Sequence, residues 1–567
     1  LRLAVPALDE MRSAQRLADR MLGVLPLGVA SRSAADTFGA GAAAALSRPG
    51  NTSGVATAAD VIEYGWRRVA VTVAVILGAV LEIVDTTIVN VALPNIQGNV
   101  GASRDEGAFI VTGYIVANVV VIPLSPWLQR RFGRKQYFFA SVAIFTAASV
   151  MCGLSHDLWS LVFWRVVQGT GGGGLLSQAQ AILRESYPKK MQGTAQAIFA
   201  LGAIIGPTLG PLMGGLITDN ASWEWCFFVN LPIGIVSATL TAMFLRNPAP
   251  PKKLPVDGVG LALLTVGLGS LQYVLDQGQE KDWFGDELIA RLATLAAIGL
   301  VAFVVWEVRF AKQPIVDLSI LRNPTVASGS GLGLVLGISL LGTLVTLPQY
   351  TQGPLGFTAT LSGELILMRA IPVALFTPLS ARLAQSGRID PRLQVGTGFV
   401  LIGLSNWWLA AVTTPISDFW TFFGPLVLSG IGLSQVFVPL SLVVFGSVSP
   451  RDVPKASAMF NLSRQLGGSI ATAVLLTLLE RSSDLHQTRI AADITYRSLA
   501  VKSYLTDHGG IGSRQGLTSL NSIVERQAIV LGYADTNRAS AVATLVLTPL
   551  VFFLKRPRPV SGANVAE

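Results

Sequence analysis

About fourteen stretches of this chain are nearly continuous in apolar residues over the ~20 positions a helix needs to cross a hydrocarbon core. They lie near 69–93, 107–128, 136–154, 158–182, 194–217, 225–245 and 258–276, then near 287–306, 325–348, 360–381, 393–412, 419–443, 455–479 and 539–554. None shows the two-residue alternation of a membrane β-strand, so helices rather than a barrel are predicted. Pro and Asp flanks separate the sixth stretch from the seventh, and the last is short. Composition agrees: of 567 residues, 51% are hydrophobic and 13% charged, about half the ~25% charge of a soluble domain. A soluble fold of this size would have too few charges to keep its surface wet. The prediction is an all-α integral membrane protein.

The net charge is +9, but its location argues against nucleic acid, whose binders gather Lys and Arg on one soluble face. Here the cations fall between apolar stretches. Alternate loops hold Arg130, Arg131, Arg134, Lys135, Arg184, Lys189, Lys190, Arg246, Lys252, Lys253, Arg309, Lys312 and Arg322, then Arg382, Arg388, Arg392, Arg451 and Lys455. Arg67 and Arg68 before the first span and Lys555, Arg556 and Arg558 after the last lie on the same side. The opposite loops offer Arg104, Lys281 and Arg291. Roughly 23 against 3 puts both termini in the cytoplasm by the positive-inside rule, and the clean separation supports an even number of spans. Residues 1–66, rich in Ala, Gly and Ser, are expected to be a disordered tail. The polar stretch 481–538 is expected outside the membrane, with helical pieces such as Ser519–Gly532 placed to cap the outer mouth.

Ionisable residues at membrane depth carry the sharpest signal, because each costs at least ~2.5–3.5 kcal/mol at mid-bilayer and must face protein or water. The first span holds Glu82 and Asp85, three residues apart and therefore on one helix face. Two carboxylates in low dielectric cannot both carry charge cheaply, so one is suited to gain and lose a proton. Arg165 in the fourth span, followed by Gln168, supplies a cation for one of the two and leaves the other to exchange protons. A purely structural ion pair is the weaker alternative. Glu364, Arg369 and Arg464 are further charges within later spans. Asn230, Asn406 and Gln435 either stabilise helix contacts or line a polar cavity, and the sequence leaves both open.

The fifth span carries Gly202, Gly206, Gly210 and Gly214 at four-residue spacing, with Pro207 and Pro211 among them. One turn per glycine makes a smooth groove for a neighbouring helix, while the prolines bend the segment, so a hinge is expected beyond simple packing. After the second span, Pro126-Trp127-Leu128-Gln129-Arg130-Arg131-Phe132-Gly133-Arg134-Lys135 places a tight turn and a cluster of cations on the basic side. Arg131, Gly133, Arg134 and Lys135 are either a gating loop or a topological anchor. Gly171–Gly174 is no phosphate loop, since no Gly-Lys-Ser/Thr follows. His156, His486 and His508 are isolated, and no metal site is expected. Cys152 and Cys226 read as buried, inert thiols rather than a disulfide. No nucleotide-binding or catalytic constellation is present, so no cofactor is expected and transport would run on an ion gradient.

Several of these segments together resemble one family. Asp85-Thr86-Thr87-Ile88-Val89-Asn90-Val91-Ala92-Leu93-Pro94, Arg165-Val166-Val167-Gln168-Gly169 and Gly206-Pro207-Thr208-Leu209-Gly210-Pro211 are similar to motifs of the fourteen-span drug:proton antiporters of the major facilitator superfamily. Trp223–Pro232 and Arg464–Ser469 extend the likeness, which runs from about residue 67 to 556 and is nearest to the EmrB/QacA type, the EmrB branch in particular. The resemblance implies a six-helix bundle over 67–245, two inserted helices within 246–322, a second bundle over 323–556 and a cytoplasmic tail over 557–567. It implies alternating access and export of lipophilic compounds through the inner membrane in exchange for protons. By analogy it also implies a periplasmic adaptor and an outer-membrane channel as partners. Pro126 and Arg130 depart from the family's loop pattern, which has Gly and Asp at those places, and this puts an Asp-based latch in doubt. Import of a polar solute on the same fold, or a non-transporting sensor, are the competing readings.

Overall fold

The computed structural model describes residues 63–247, 250–386, 388–495, 498–508, 510 and 513–554. Among them every regular element is helical. That follows from the solvent: in hydrocarbon each backbone N–H and C=O needs a partner within its own segment. Thirteen helices among the described residues are long and apolar enough to cross a membrane. The remaining predicted span, the fourth, is two helices. α4 (Leu158–Gly172) stops within the glycine run and α5 (Leu175–Ser186) restarts after it.

Six spans form a first group. They are α1 (Gly65–Val100), α2 (Arg104–Phe132), α3 (Arg134–Gly153), the broken α4–α5, α6 (Gln192–Asn220), and α7 (Trp225–Phe228) continuing into α8 (Asn230–Phe244). Within it α1 packs on α5, α6 and α8, and α4 lies between α2 and α3. Two helices follow, α9 (Gly258–Gln277) and α10 (Glu287–Arg309), packed mainly on each other. The second group holds α11 (Pro324–Gln352), α12 (Ala359–Ser386), α13 (Pro391–Val412), α14 (Phe423–Gly446), α15 (Val453–Asp493) and, after the short α16 (Leu499–Asp507), α17 (Arg514–Leu547). Here α11 packs on α15, α14 on α12 and α13, and α17 on α13 and α15.

The groups meet along two seams. α6 lies against α12 on one flank, while α2 and α5 lie against α15 on the other, where α9 also touches both α2 and α15. Aromatic side chains close the seam region towards the basic end: Phe199 and Phe437 rings are 6.0 Å apart, and Phe460 meets Phe437 and Phe445 edge-on. Helix starts are fixed by polar caps. Asp157, Asp257, Asp286, Asn323 and Asp390 each accept a backbone N–H of the first turn, and Ser103 with Glu106 forms a capping box.

Ser519–Gly532 is helical as expected, within α17, while the extent of the neighbouring helices and of the N-terminal tail is revised. The polar stretch 481–538 is mostly helix: α15 runs on to Asp493, and α17 starts at Arg514, well before the predicted short span at 539–554. At 41 residues α15 is roughly 60 Å long, so its polar end stands beyond the hydrocarbon, tied to α17 by His486 Nε2 and Asp535 Oδ2 at 2.7 Å. The end of the expected N-terminal tail is also ordered. Glu63 pairs with Arg67 at 3.0 Å and donates its N–H to Ser186 O. Residues 1–62 and the tail 557–567 lie outside the described residues.

Candidate functional site

Glu82 and Asp85 sit near the middle of α1, about 26 Å along the helix from its basic end. Although they share a face, they enter different niches. Asp85 is fully buried. Its Oδ2 takes a bond from Arg165 Nη1 at 2.6 Å, and its Oδ1 accepts from Gln168 Nε2 at 2.8 Å and Asn230 Nδ2 at 3.0 Å. Arg165 is 1% exposed, donates to Gln168 Oε1 and Ile110 O, and lies 4.1 Å over the Tyr114 ring. Asn230 is held in turn by Ser149. The arrangement ties α1, α2, α3, α4 and α8 through one neutralised ion pair. Removing either charge would strand the other in low dielectric.

Among the described residues Glu82 has no cation within ion-pair distance. Its Oε1 accepts from Asn118 Nδ2 at 3.1 Å and its Oε2 from the backbone N–H of Leu176 at 2.9 Å. That second donor exists because the glycine run ends α4. The restart of α5 leaves its first N–H groups without partners inside the helix, and a helix N-terminus favours an anion. The glycines also let α4–α5 approach α2. A Cβ at Gly173 would strike Asn118 O and lie 2.9 Å from Val121 Cβ. Sequence reasoning read Gly171–Gly174 only as a failed phosphate loop, and missed Asn118 and Leu176. The signal available was a helix-breaking run inside an apolar span.

The glycine ladder of α6 faces α1. A Cβ at Gly206 would lie 2.7 Å from Ile83 Cγ2, one at Gly210 would collide with Thr87, and one at Gly214 would lie 3.0 Å from Ile88 O. The helix runs unbroken through Pro207 and Pro211. In this conformation the ladder is therefore a packing groove for the carboxylate-bearing helix, and the expected hinge shows no break.

The loop cations bind inward. Arg134 is 2% exposed, pairs with Glu185 at 2.6 Å and donates to Arg246 O. The Lys135 N–H reaches Asn247 Oδ1 at 2.8 Å, and Arg131 donates to Leu254 O while lying over the Trp127 ring. Gly133 joins α2 to α3 at φ +91°, a conformation that favours glycine. All these partners belong to the first group or the connector after it. Arg130 instead borders a cleft with Asp317 and Lys455, which pair at 2.8 Å.

The other predicted polar residues scatter. Gln168 and Asn230 serve the Asp85 niche. Gln435 accepts from Gln394 at 2.7 Å between α13 and α14, and Asn406 donates to Ser540 at 3.2 Å. Arg369 is buried, with Leu340 O at 3.4 Å. Glu364, expected to be buried, is exposed near the start of α12. Arg464, on α15, faces the Glu82 niche from the second group and interacts electrostatically with that carboxyl. Cys152 and Cys226 are buried free thiols.

The sequence pattern of the Major Facilitator Superfamily matches residues 75–472. Fatty acid resistance protein FarB of Neisseria gonorrhoeae is 35% identical over 501 residues, 87% of this chain and 97% of FarB. Multidrug export protein EmrB of Escherichia coli K12 is 32% identical over 503 residues, 88% of this chain and 98% of EmrB. Among solved structures, the human organic anion transporter MFSD10 (TETRAN) superposes with a TM-score of 0.57 at 14% identity, over 85% of this chain and 99% of that one. A match of this extent, on two groups of six spans with an inserted pair between them, means that this multi-pass membrane protein belongs to the major facilitator superfamily, with relatives of the EmrB type.

Proposed function

We propose that this protein exports hydrophobic or amphipathic small molecules across the inner membrane in exchange for protons, by alternating access between its two bundles. The charge asymmetry of the loops supports a cytoplasmic basic end and cytoplasmic termini. Its relatives are named for multidrug export and fatty acid resistance, which supports a lipophilic cargo. By analogy with EmrB-like exporters, a periplasmic adaptor and an outer-membrane channel receive it. The proton gradient is the energy source, and no cofactor enters the cycle.

One observation carries the proton role: the two carboxyls of α1 are divided. Asp85 is matched by Arg165, whereas Glu82 rests on two neutral donors that hold a carboxylate without fixing its charge. Glu82 is therefore the proton carrier, and the Asp85–Arg165 pair holds α1 in register with its neighbours. A proton moving down 100 mV releases ~2.3 kcal/mol, enough to bias a two-state equilibrium roughly fiftyfold.

The test is transport in proteoliposomes holding the purified protein, with an imposed pH gradient and a panel of lipophilic dyes. Dye moves against the proton flow in the native protein, and Glu82→Gln loses the dependence on the gradient while still binding dye. Movement of dye in the same direction as protons, or gradient-driven transport persisting in Glu82→Gln, overturns the reading.

A further inference from the structure

The Glu82 niche continues into the second bundle through a chain of hydrogen bonds. Leu176, whose N–H holds the carboxylate, is followed by Ser177, and the Ser177 carbonyl accepts from Ser457 Oγ of α15 at 2.8 Å. One turn further along α5, Gln180 Oε1 accepts from Ser457 Oγ at 3.2 Å and Asn461 Nδ2 at 2.8 Å. These groups are almost wholly buried. Ser457, Asn461 and Arg464 follow each other at i, i+4 and i+7, which is one face of α15, so Arg464 stands at the end of that face nearest Glu82.

Arg464 is 9% exposed and has no carboxylate within ion-pair distance among the described residues, and its Nε has no hydrogen-bond partner. The other titratable groups around Glu82 are Asp85 on α1, already matched by Arg165, and the phenols Tyr114 on α2 and Tyr137 on α3. Phenols stay protonated at neutral pH. The charge that Glu82 gains or loses is thus felt across the seam chiefly by one unmatched cation.

We propose that Arg464, with Ser457 and Asn461, couples the protonation of Glu82 to closure of the cytoplasmic end. Ionised Glu82 attracts Arg464 and holds the α15 face against α5, keeping the cytoplasmic end shut. Protonation from outside removes that attraction, leaves neutral hydrogen bonds alone across the seam, and lets the end open. Release of the proton to the cytoplasm restores the attraction and closes it again. The order suits antiport, because closure to the cytoplasm follows proton loss. The inference rests on the reading of Glu82 as proton carrier.

The test uses the full-length protein with Lys189→Cys on the first bundle and Arg451→Cys on the second, both at exposed positions of the basic end, and Cys152 and Cys226 replaced by Ser. Spin-label distances are read in nanodiscs across pH. In the parent protein the distance lengthens as pH falls, and in Glu82→Gln it is long at every pH. Arg464→Gln loses the pH dependence and cuts proton-driven transport about 5- to 150-fold, the span of typical coupling energies. Arg464→Lys, which keeps the charge, restores the pH dependence. Asn461→Ala keeps the transition but moves its midpoint to higher pH, because a weaker latch opens with less protonation.

A pH-dependent distance that survives in Arg464→Gln overturns the inference while leaving Glu82 as the carrier. So does an unmoved midpoint in Asn461→Ala, the variant that decides should Arg464→Gln fail to fold. A distance and a transport rate that ignore Glu82→Gln overturn both readings together.

Discussion

Substituting alanine along the α6 glycine ladder should give a graded series. At Gly202 a Cβ would sit 3.4 Å from Val80 and 3.5 Å from Ile76, ordinary van der Waals contact. At Gly210 it would collide with the Thr87 hydroxyl, lie 2.7 Å from Thr87 Cβ and lie 3.1 Å from the Ile88 backbone nitrogen. Thr87 has little freedom to yield, because its hydroxyl is bonded back to Ile83 and Val84 of its own helix. The helices must separate instead. Overpacking costs about 1–3 kcal/mol, while replacing a helical Gly by Ala returns up to ~1 kcal/mol. Gly202→Ala should therefore be neutral or slightly stabilising, and Gly210→Ala a net loss of up to about 2 kcal/mol. The functional loss at Gly210 should be larger than its stability loss, since Thr87 lies two residues from Asp85, whose bonds span only 2.6–3.0 Å. The assays are thermal unfolding of the purified protein in one detergent and dye export by cells at matched expression. Equal melting temperatures and equal export for the two variants would refute the packing argument.

Arg165→Ala should lower stability by about 3–5 kcal/mol by stranding Asp85, read as loss of monodisperse protein on size exclusion; Arg165→Lys should rescue poorly, because one ammonium cannot reproduce the bonds to Asp85, Gln168 and Ile110. Asn118→Leu should leave the fold intact and shift the pH dependence of proton-driven transport, since it removes one of the two donors on Glu82; an unchanged pH profile would count against that niche. Burial pushes the Asp317 carboxyl up, but hydrogen bonds from Lys455 and Ser319, with the charge of Lys455, outweigh it and hold the group below its ordinary value. Its contribution is present above about pH 4 and lost as pH falls through the lowered value. Melting temperatures of the native protein and Asp317→Asn should therefore keep a constant gap between pH 5 and 8 and converge only in acid.

The spans were legible in the sequence because the membrane imposes length and apolarity on each of them independently. Their partnerships were not. Pattern alone left Arg165 free to pair with Glu82 or Asp85, since the choice depends on which niche α4 reaches, and that is set by how closely glycines let it approach α2. The polar helix of residues 481–493 was hidden because a helix in water needs no apolar run to continue once the membrane has nucleated it. Glu364 misled for the opposite reason. An acid in an apolar stretch reads as buried, yet it sits near a helix start, where it reaches the surface.

The inserted pair α9–α10 makes the two seams between the bundles unequal. At the joint of α2 with α15 the third helix, α9, comes from the insert; at the joint of α6 with α12 the helix that touches both, α14, belongs to the second bundle. One flank of the molecule is therefore joined through a body that belongs to neither bundle, and the other through the bundles' own helices alone.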